Sequence, residues 1–178
     1  MEINEILNRE LKGSFDFYLE YTNLRPNSPG YGLTVDSTKK PQVASIASTG
    51  FALTAWVIAC EHGFLDRNRA IEITRGTLRT LASNASQYRG FFAHYFDIQT
   101  GERFRSCEYS TIDTALCLNG VITAAAYFND AEIEDLAELL LHRVDWNFIV
   151  KQQKGRTLFH MAYNPDLQGD YVQREPGY

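Results

Sequence analysis

Two long stretches of this chain are apolar almost all the way round, and each is followed by a stretch that is apolar on one side only. Ser45 to about His62, SIASTGFALTAWVIACEH, predicts a helix without a polar face, and Ser110 to about Tyr127 predicts a second. Such a helix is expected to be covered on all sides. Gly63 stops the first, and Asp66 caps a successor over about Arg67 to Ser83. That successor gathers Ala70, Ile73, Thr77, Leu78 and Leu81 on one face and keeps Arg67, Arg69, Glu72, Arg75 and Arg79 elsewhere. After the second, Ala131 to about Trp146 places Ile133, Leu136, Leu140 and Val144 inward and Glu132, Glu134, Asp135, Glu138 and Arg143 outward. Buried helices alternating with half-wet ones are what two helical layers require, so the expected fold class is mainly α.

The rest of the chain fits around these four. Ile3, Ile6, Leu7, Leu11, Phe15, Tyr18 and Leu19 recur at threes and fours, predicting one more helix with a single buried stripe. Residues 23–42 hold three of the five prolines with Gly30 and Gly32, which predicts a long irregular loop, with Tyr31 and Asp36 as candidate rim residues. A short hairpin is expected around a Lys-Gly-Arg turn, between Phe148–Gln152 and Thr157–Tyr163, followed by an irregular tail. Residues 1–178 read as one domain, a length that can hold a single core.

Charge and cysteine usage narrow the partners. A net charge of −5 with scattered basic residues argues against nucleic acid. No apolar run is expected to reach membrane-spanning length, and the acidic amphipathic start is not a signal peptide, which leaves cytoplasm and periplasm both open. Cys60, Cys107 and Cys117 are an odd number without metal-ligand spacing, so neither a disulfide framework nor a metal or other cofactor is expected. Cys60 and Cys117 fall inside the apolar helices and read as buried thiols.

Chemistry-bearing side chains concentrate between Tyr88 and Tyr127. Gly101 follows Asp97-Ile98-Gln99-Thr100 and predicts a hairpin turn, with Phe91, Phe92, Tyr95 and Phe96 on one strand and Phe104 on the other. Ser110 and Asp113 spell a helix start, so Asp113 reads either as a cap or as a functional acid. Glu108, just before that start, reads either as a solvated loop glutamate or as its partner. Two carboxyl groups at one loop-to-helix junction suit cleavage of a glycosidic bond, where one donates a proton and the other activates water. His94 reads as a hydrogen-bonded structural histidine or a sugar contact. Arg89 and Arg105 can pair with carboxylates or grip sugar oxygens, and Phe92, Tyr95 and Trp56 can pack in the core or stack on a sugar.

Three blocks carry a resemblance to a known family: SIASTGFALTAW at Ser45–Trp56, YRGFFAHYFDIQTGERF at Tyr88–Phe104, and EYSTIDTALCLNGVITAAAYF at Glu108–Phe128. They resemble successive parts of the glucoamylase-like family, which includes bacterial endo-β-1,2-glucanases. The resemblance implies an (α/α) toroid, a ring of inner and outer helices with short β-hairpins at the cleft end. It also implies a glycoside hydrolase acting on a β-glucan by inverting acid/base hydrolysis, with β-1,2-linked glucan as the first candidate, but the chain is short for a closed ring: twelve helices of about 12 residues with connections need well over roughly 200 residues. The expectation is therefore the N-terminal part of an (α/α)6 barrel, completed by a second copy or a complementary chain. On this resemblance Glu108 and Asp113 are the acid and base, and His94, Phe92, Tyr95, Arg89, Arg105 and Trp56 are the candidate substrate contacts for an oligosaccharide or glucan. The alternative is a carbohydrate-binding or assembly fragment without turnover.

Overall fold

Four of the five helices begin where a short polar side chain can take the first free amides, and this fixes the order of elements. The computed structural model describes residues 3–166. Within them lie α1 (Ile3–Tyr21), β1 (Val43–Ser45), α2 (Ile46–Glu61), α3 (Arg67–Ser83), β2 (Gln87–Tyr88), β3 (Phe91–Phe92) and β4 (Tyr95–Asp97). They are followed by β5 (Tyr109–Ser110), α4 (Thr111–Phe128), α5 (Ala131–His142), a 3-10 turn (Trp146–Ile149), β6 (Val150–Gln153), β7 (Arg156–Phe159) and β8 (Ala162–Tyr163). Ser45, Asp66, Ser110 and Asp130 accept from the amides of Ser48, Arg69, Asp113 and Ile133 and cap α2, α3, α4 and α5. Each such cap is worth about 1 kcal/mol.

The centre of the molecule is the contact of α2 with α4. Gly50 and Gly120 face one another so closely that a Cβ on Gly120 would lie 2.1 Å from the Gly50 carbonyl oxygen. Only glycine allows two helix backbones to touch in this way. α3 and α5 pack outside them, burying Ala70, Ile73, Leu78 and Leu81 from one and Ile133 and Leu140 from the other. Arg75 grips Asp130 through two nitrogens, at 2.9 and 2.5 Å, and Arg79 grips Glu132 at 2.6 and 2.8 Å, so the outer helices are also joined at their polar faces.

Several expectations need correction. The α1 stripe is not buried: Phe15 is, but Ile3 and Leu7 are 74% and 60% exposed, because α1 lies against the outside of α2 with nothing on its other side among the described residues. Nor are α2 and α4 covered all round, since Phe51 and Ile58 of the first and Ile112 and Ile122 of the second face outward. At 18 residues and a mean hydropathy of 1.2, α4 does reach the length and composition of a membrane span, contrary to expectation. Its glycine face packs on the α2 backbone, while Ile112 and Ile122 on its remaining surface face outward. α5 ends at His142, and Trp146 falls in the 3-10 turn. The tail beyond Asp166 lies outside the described residues.

The expected hairpin around Gly101 is also different. Gly101 does turn the chain, at φ +76°, but its two sides are joined by the isolated bridges Phe96 to Arg103 and Ala93 to Tyr109 rather than by a continuous ladder. β4 pairs instead with β1, Ser45 opposite Tyr95, and β3 pairs with β2 around the tight turn at Arg89-Gly90. β5 pairs with β8, and β6 with β7 around Lys154-Gly155. The long loop at 23–42 is well anchored: Asn23 Nδ2 donates to Ile98 O at 2.7 Å, and Leu33, Thr34 and Val35 are buried.

Candidate active site

The strand pairing delivers His94 to the mouths of both central helices. Its carbonyl accepts from Ile46 N in the first turn of α2 at 3.1 Å, and its amide donates to Glu108 O at 2.9 Å, just before α4. His94 is thereby fixed between the segments that begin the two apolar helices. Its side chain then reaches two carboxylates. Nδ1 lies 2.8 Å from Glu108 Oε1, and Nε2 lies 3.6 Å from Asp113 Oδ2, the first a hydrogen bond and the second an ion-pair distance.

Each carboxylate has a second attachment or an open side. Asp113 Oδ2 accepts from Ser110 Oγ at 2.5 Å, while Ser110 Oγ accepts from Asp113 N at 3.3 Å, so Asp113 closes the helix cap reciprocally. Glu108 keeps a third of its side chain in contact with solvent. The Tyr95 ring lies flat on the His94 imidazole, with centroids 3.8 Å apart and planes 16° from parallel.

Electrostatics set the protonation states. Burial alone would push His94 down, but the Glu108 hydrogen bond and the charges of Asp113, Glu108 and Asp36 outweigh it, and the net effect raises His94 above an ordinary histidine. For Glu108 the His94 hydrogen bond dominates over burial and holds the carboxyl below the usual range, with help from the charge of Arg103. Both shifts have one cause, since the contact of His94 with Glu108 favours the charged form of each. Burial pushes the Tyr95 phenol up, and the negative charges of Asp36, Glu108 and Asp113 add to it.

The other sequence candidates separate from this centre. Trp56 and Phe92 are core residues, 0% and 1% exposed, and offer no face to a sugar in this structure. Trp56 meets Phe15 edge-on, at 6.1 Å between centroids, and Phe92 N donates to Thr114 Oγ1 at 2.9 Å. Arg89 pairs with Asp145 at 2.9 Å and lies over Phe148, which takes up its guanidinium. Arg105 is exposed and rests over Phe104. Tyr31 lies against Gly76 of α3, away from the cluster. Cys117 is buried as expected, but Cys60 is only half-buried.

Arg103 is the residue that sequence reasoning passed over. Its Nε donates to Cys107 O at 2.5 Å, a second nitrogen reaches Asn164 at 2.9 Å and a third reaches Asp166 at 3.0 Å, which ties the 103–110 segment to the chain after β8. The only signal was its place between Phe104 and Gly101-Glu102, on the side of the turn opposite the aromatic strand. Among the described residues no set of three His, Cys, Asp or Glu side chains could hold a metal ion. Two surface grooves, one beside α3 and one between α1 and α2, are lined by residues other than Glu108, His94 and Asp113, which are themselves half-buried.

No protein-family model matches the chain, and no curated protein does. Solved structures do. A candidate glucoamylase from Bacteroides uniformis superimposes with a TM-score of 0.78 at 22% identity, over 93% of this chain and 41% of that one. A β-1,2-glucanase from Parabacteroides distasonis gives 0.75 at 20% identity, over 93% of this chain and 24% of that one. An endo-β-1,2-glucanase from Chitinophaga pinensis, in complex with sophorotriose and glucose, gives 0.75 at 15% identity, over 93% of this chain and 42% of that one. The chain thus spans less than half the length of these structures, and over nearly all of its own length it has the helical fold of the glucoamylase-like and β-1,2-glucanase structures.

Proposed function

We propose that this chain forms part of the catalytic wall of a glycoside hydrolase that cleaves a β-glucan, with β-1,2-linked glucan the first substrate to test. One observation carries the reading: Glu108 and Asp113, from either side of the α4 start, meet opposite nitrogens of the His94 ring. A carboxyl group at each ring nitrogen is compatible with the ~6.5–9.5 Å separation that an inverting pair needs, and inversion is the stereochemical course proposed. Glu108, held ionised and partly open to solvent, takes the role of activating water. Asp113, at the other imidazole nitrogen, is on this reading the proton donor, a role that requires its carboxyl group to carry a proton when the bond is cleaved. The similarity to β-1,2-glucanase structures supports the choice of substrate. On the same reading the helices form an arc of an (α/α) toroid. Phe51, Ile58, Ile112 and Ile122 are then the edge along which the next inner helices of the ring pack.

A second reading, carbohydrate binding without turnover, is favoured by a different observation. The imidazole fills the space between the carboxylates where an inverting enzyme keeps its water, and Asp113 is also engaged by Ser110. Glu108→Gln separates the two. Hydrolysis predicts that release of reducing ends from linear β-1,2-glucan falls at least about 1,000-fold while the melting temperature changes by only a few degrees. Bound glucan with no reducing ends released by the wild type would leave only the binding reading.

A further inference from the structure

A hollow of mixed polar and apolar lining, away from the Glu108–His94–Asp113 cluster, lies where the 23–42 loop crosses α3. It is a groove of about 530 Å³, within the range of small-ligand sites. Its wall is built around Tyr31, which lies against Gly76 in the middle of α3. A Cβ at Gly76 would sit 2.3 Å from the ring, so the bare backbone of this glycine is what seats the tyrosine. A mid-helix glycine costs about 1 kcal/mol relative to alanine, and here the cost places an aromatic ring on the groove wall. The loop behind it is held in advance of any ligand by Asn23 donating to Ile98 O and by Asn84 donating to Pro29 O, both contacts across long stretches of chain.

Charge complementarity decides the kind of ligand. The groove contains Arg69 and Arg79, but Arg69 is paired with Glu72 at 3.1 Å and Arg79 with Glu132 through two nitrogens. Each cation thus has a carboxylate beside it, so the groove carries little net charge and offers less to a phosphate or a free acid than two unpaired arginines would. Beside these exposed ion pairs stand two neutral groups: the side chains of Asn27 and Ser83 have no hydrogen-bond partner among the described residues, and both are exposed on the groove that Tyr31 lines. An aromatic face flanked by amide and hydroxyl groups suits a neutral polyol, whose C–H face stacks while its hydroxyls are shared.

We propose that the groove between the 23–32 loop and α3 binds a neutral glucosyl unit or short oligosaccharide, as an accessory site separate from the Glu108–His94–Asp113 cluster. The identity of the sugar as glucose rests on the function proposed above, whereas the site itself rests on Tyr31, Asn27 and Ser83. The experiment is calorimetric and NMR titration with short β-1,2-linked gluco-oligosaccharides, using the wild type, Glu108→Gln, Tyr31→Ala and Tyr31→Phe. Glu108→Gln silences turnover without touching the groove, so the proposal predicts that its groove binding persists, with shifts at Asn27, Gly76 and Ser83 amides. Tyr31→Ala is expected to weaken that binding about tenfold, and Tyr31→Phe to retain it. Binding that Tyr31→Ala leaves unchanged, with shifts confined to the region of His94 and Glu108, would overturn the groove while sparing the proposed function. Shifts at the groove in a protein that releases no reducing ends would support the groove and remove the hydrolase. No saturable binding by the wild type would overturn the groove. Should Tyr31→Ala unfold, Ser83→Ala and Asn27→Ala, both at exposed positions, are expected to weaken binding together, and unchanged binding in that pair would count against the site.

Discussion

Gly120→Ala tests how the central helices set the site. A methyl group there would lie 2.1 Å from the Gly50 carbonyl oxygen, 2.8 Å from its carbon and 3.0 Å from its Cα, all of it backbone. Ordinary contact begins near 3.4 Å, so α2 and α4 must part by about an ångström. Alanine gains about 1 kcal/mol of helix propensity, and overpacking costs about 1–3 kcal/mol, here toward the upper end because no side chain can rotate away. The net loss is about 1–2 kcal/mol, which for a chain of this size lowers the melting temperature by roughly 2–8 °C. The same movement reaches the site, since α2 holds His94 through Ile46 N and α4 carries Asp113. An ångström of misplacement can cost about 100-fold in rate, so activity should fall more than stability does. Thermal unfolding followed by circular dichroism, beside a glucan assay, measures both. A Gly120→Ala protein as stable as the wild type or more so would refute the close backbone contact and the reasoning built on it.

Three other outcomes are expected. Ser110→Ala removes the α4 cap and should cost about 0.5–2 kcal/mol in urea unfolding, whereas Ser110→Thr should restore most of it; equal stability of all three would show that the cap contributes nothing. The His94–Glu108 contact predicts a definite pH profile. His94, raised, contributes stability that is full below about pH 6.5 and lost as pH rises through its folded value, and Glu108, lowered, contributes stability that is full above about pH 4.3 and lost as pH falls through its own. Melting temperatures of wild type and Glu108→Gln should therefore differ most between those values and converge outside them, and parallel curves from pH 4 to 9 would contradict the pairing. Cys117, fully buried with its thiol pushed up to about 12, should react with a thiol reagent only on unfolding, while Cys60 reacts in the native state. Labelling of Cys117 without unfolding would show that α4 is less closely packed than described.

The helices were legible because their signals are local. Caps at Asp66 and Ser110 and the apolar faces of α3 and α5 lie within a few residues of what they determine, and the helix starts follow, whereas the end of α5 at His142 carries no such signal and falls four residues before the expected Trp146. The strand pairings were not legible, because β1 with β4 and β5 with β8 join segments about fifty residues apart through two or three residues each. Alternation in so short a strand carries little information, and the aromatic run from Phe91 to Phe96 read as one hairpin arm when it serves two different pairings. The same limit applied to the site. Glu108, Asp113 and His94 were all visible as candidates, but the imidazole joining both carboxylates depends on backbone contacts of His94 with Ile46 and Glu108. Trp56 and Phe92 went the other way, since an aromatic residue looks the same in sequence whether it faces a sugar or the core.

The most direct measurement is the configuration of the first product, read by proton NMR during digestion of linear β-1,2-glucan by the wild-type chain. A base at Glu108 acting through water on one side of the bond predicts new reducing ends that appear first as the α-anomer, with no such signal from Glu108→Gln. New ends appearing first as the β-anomer, or arising equally with Glu108→Gln, would contradict the account.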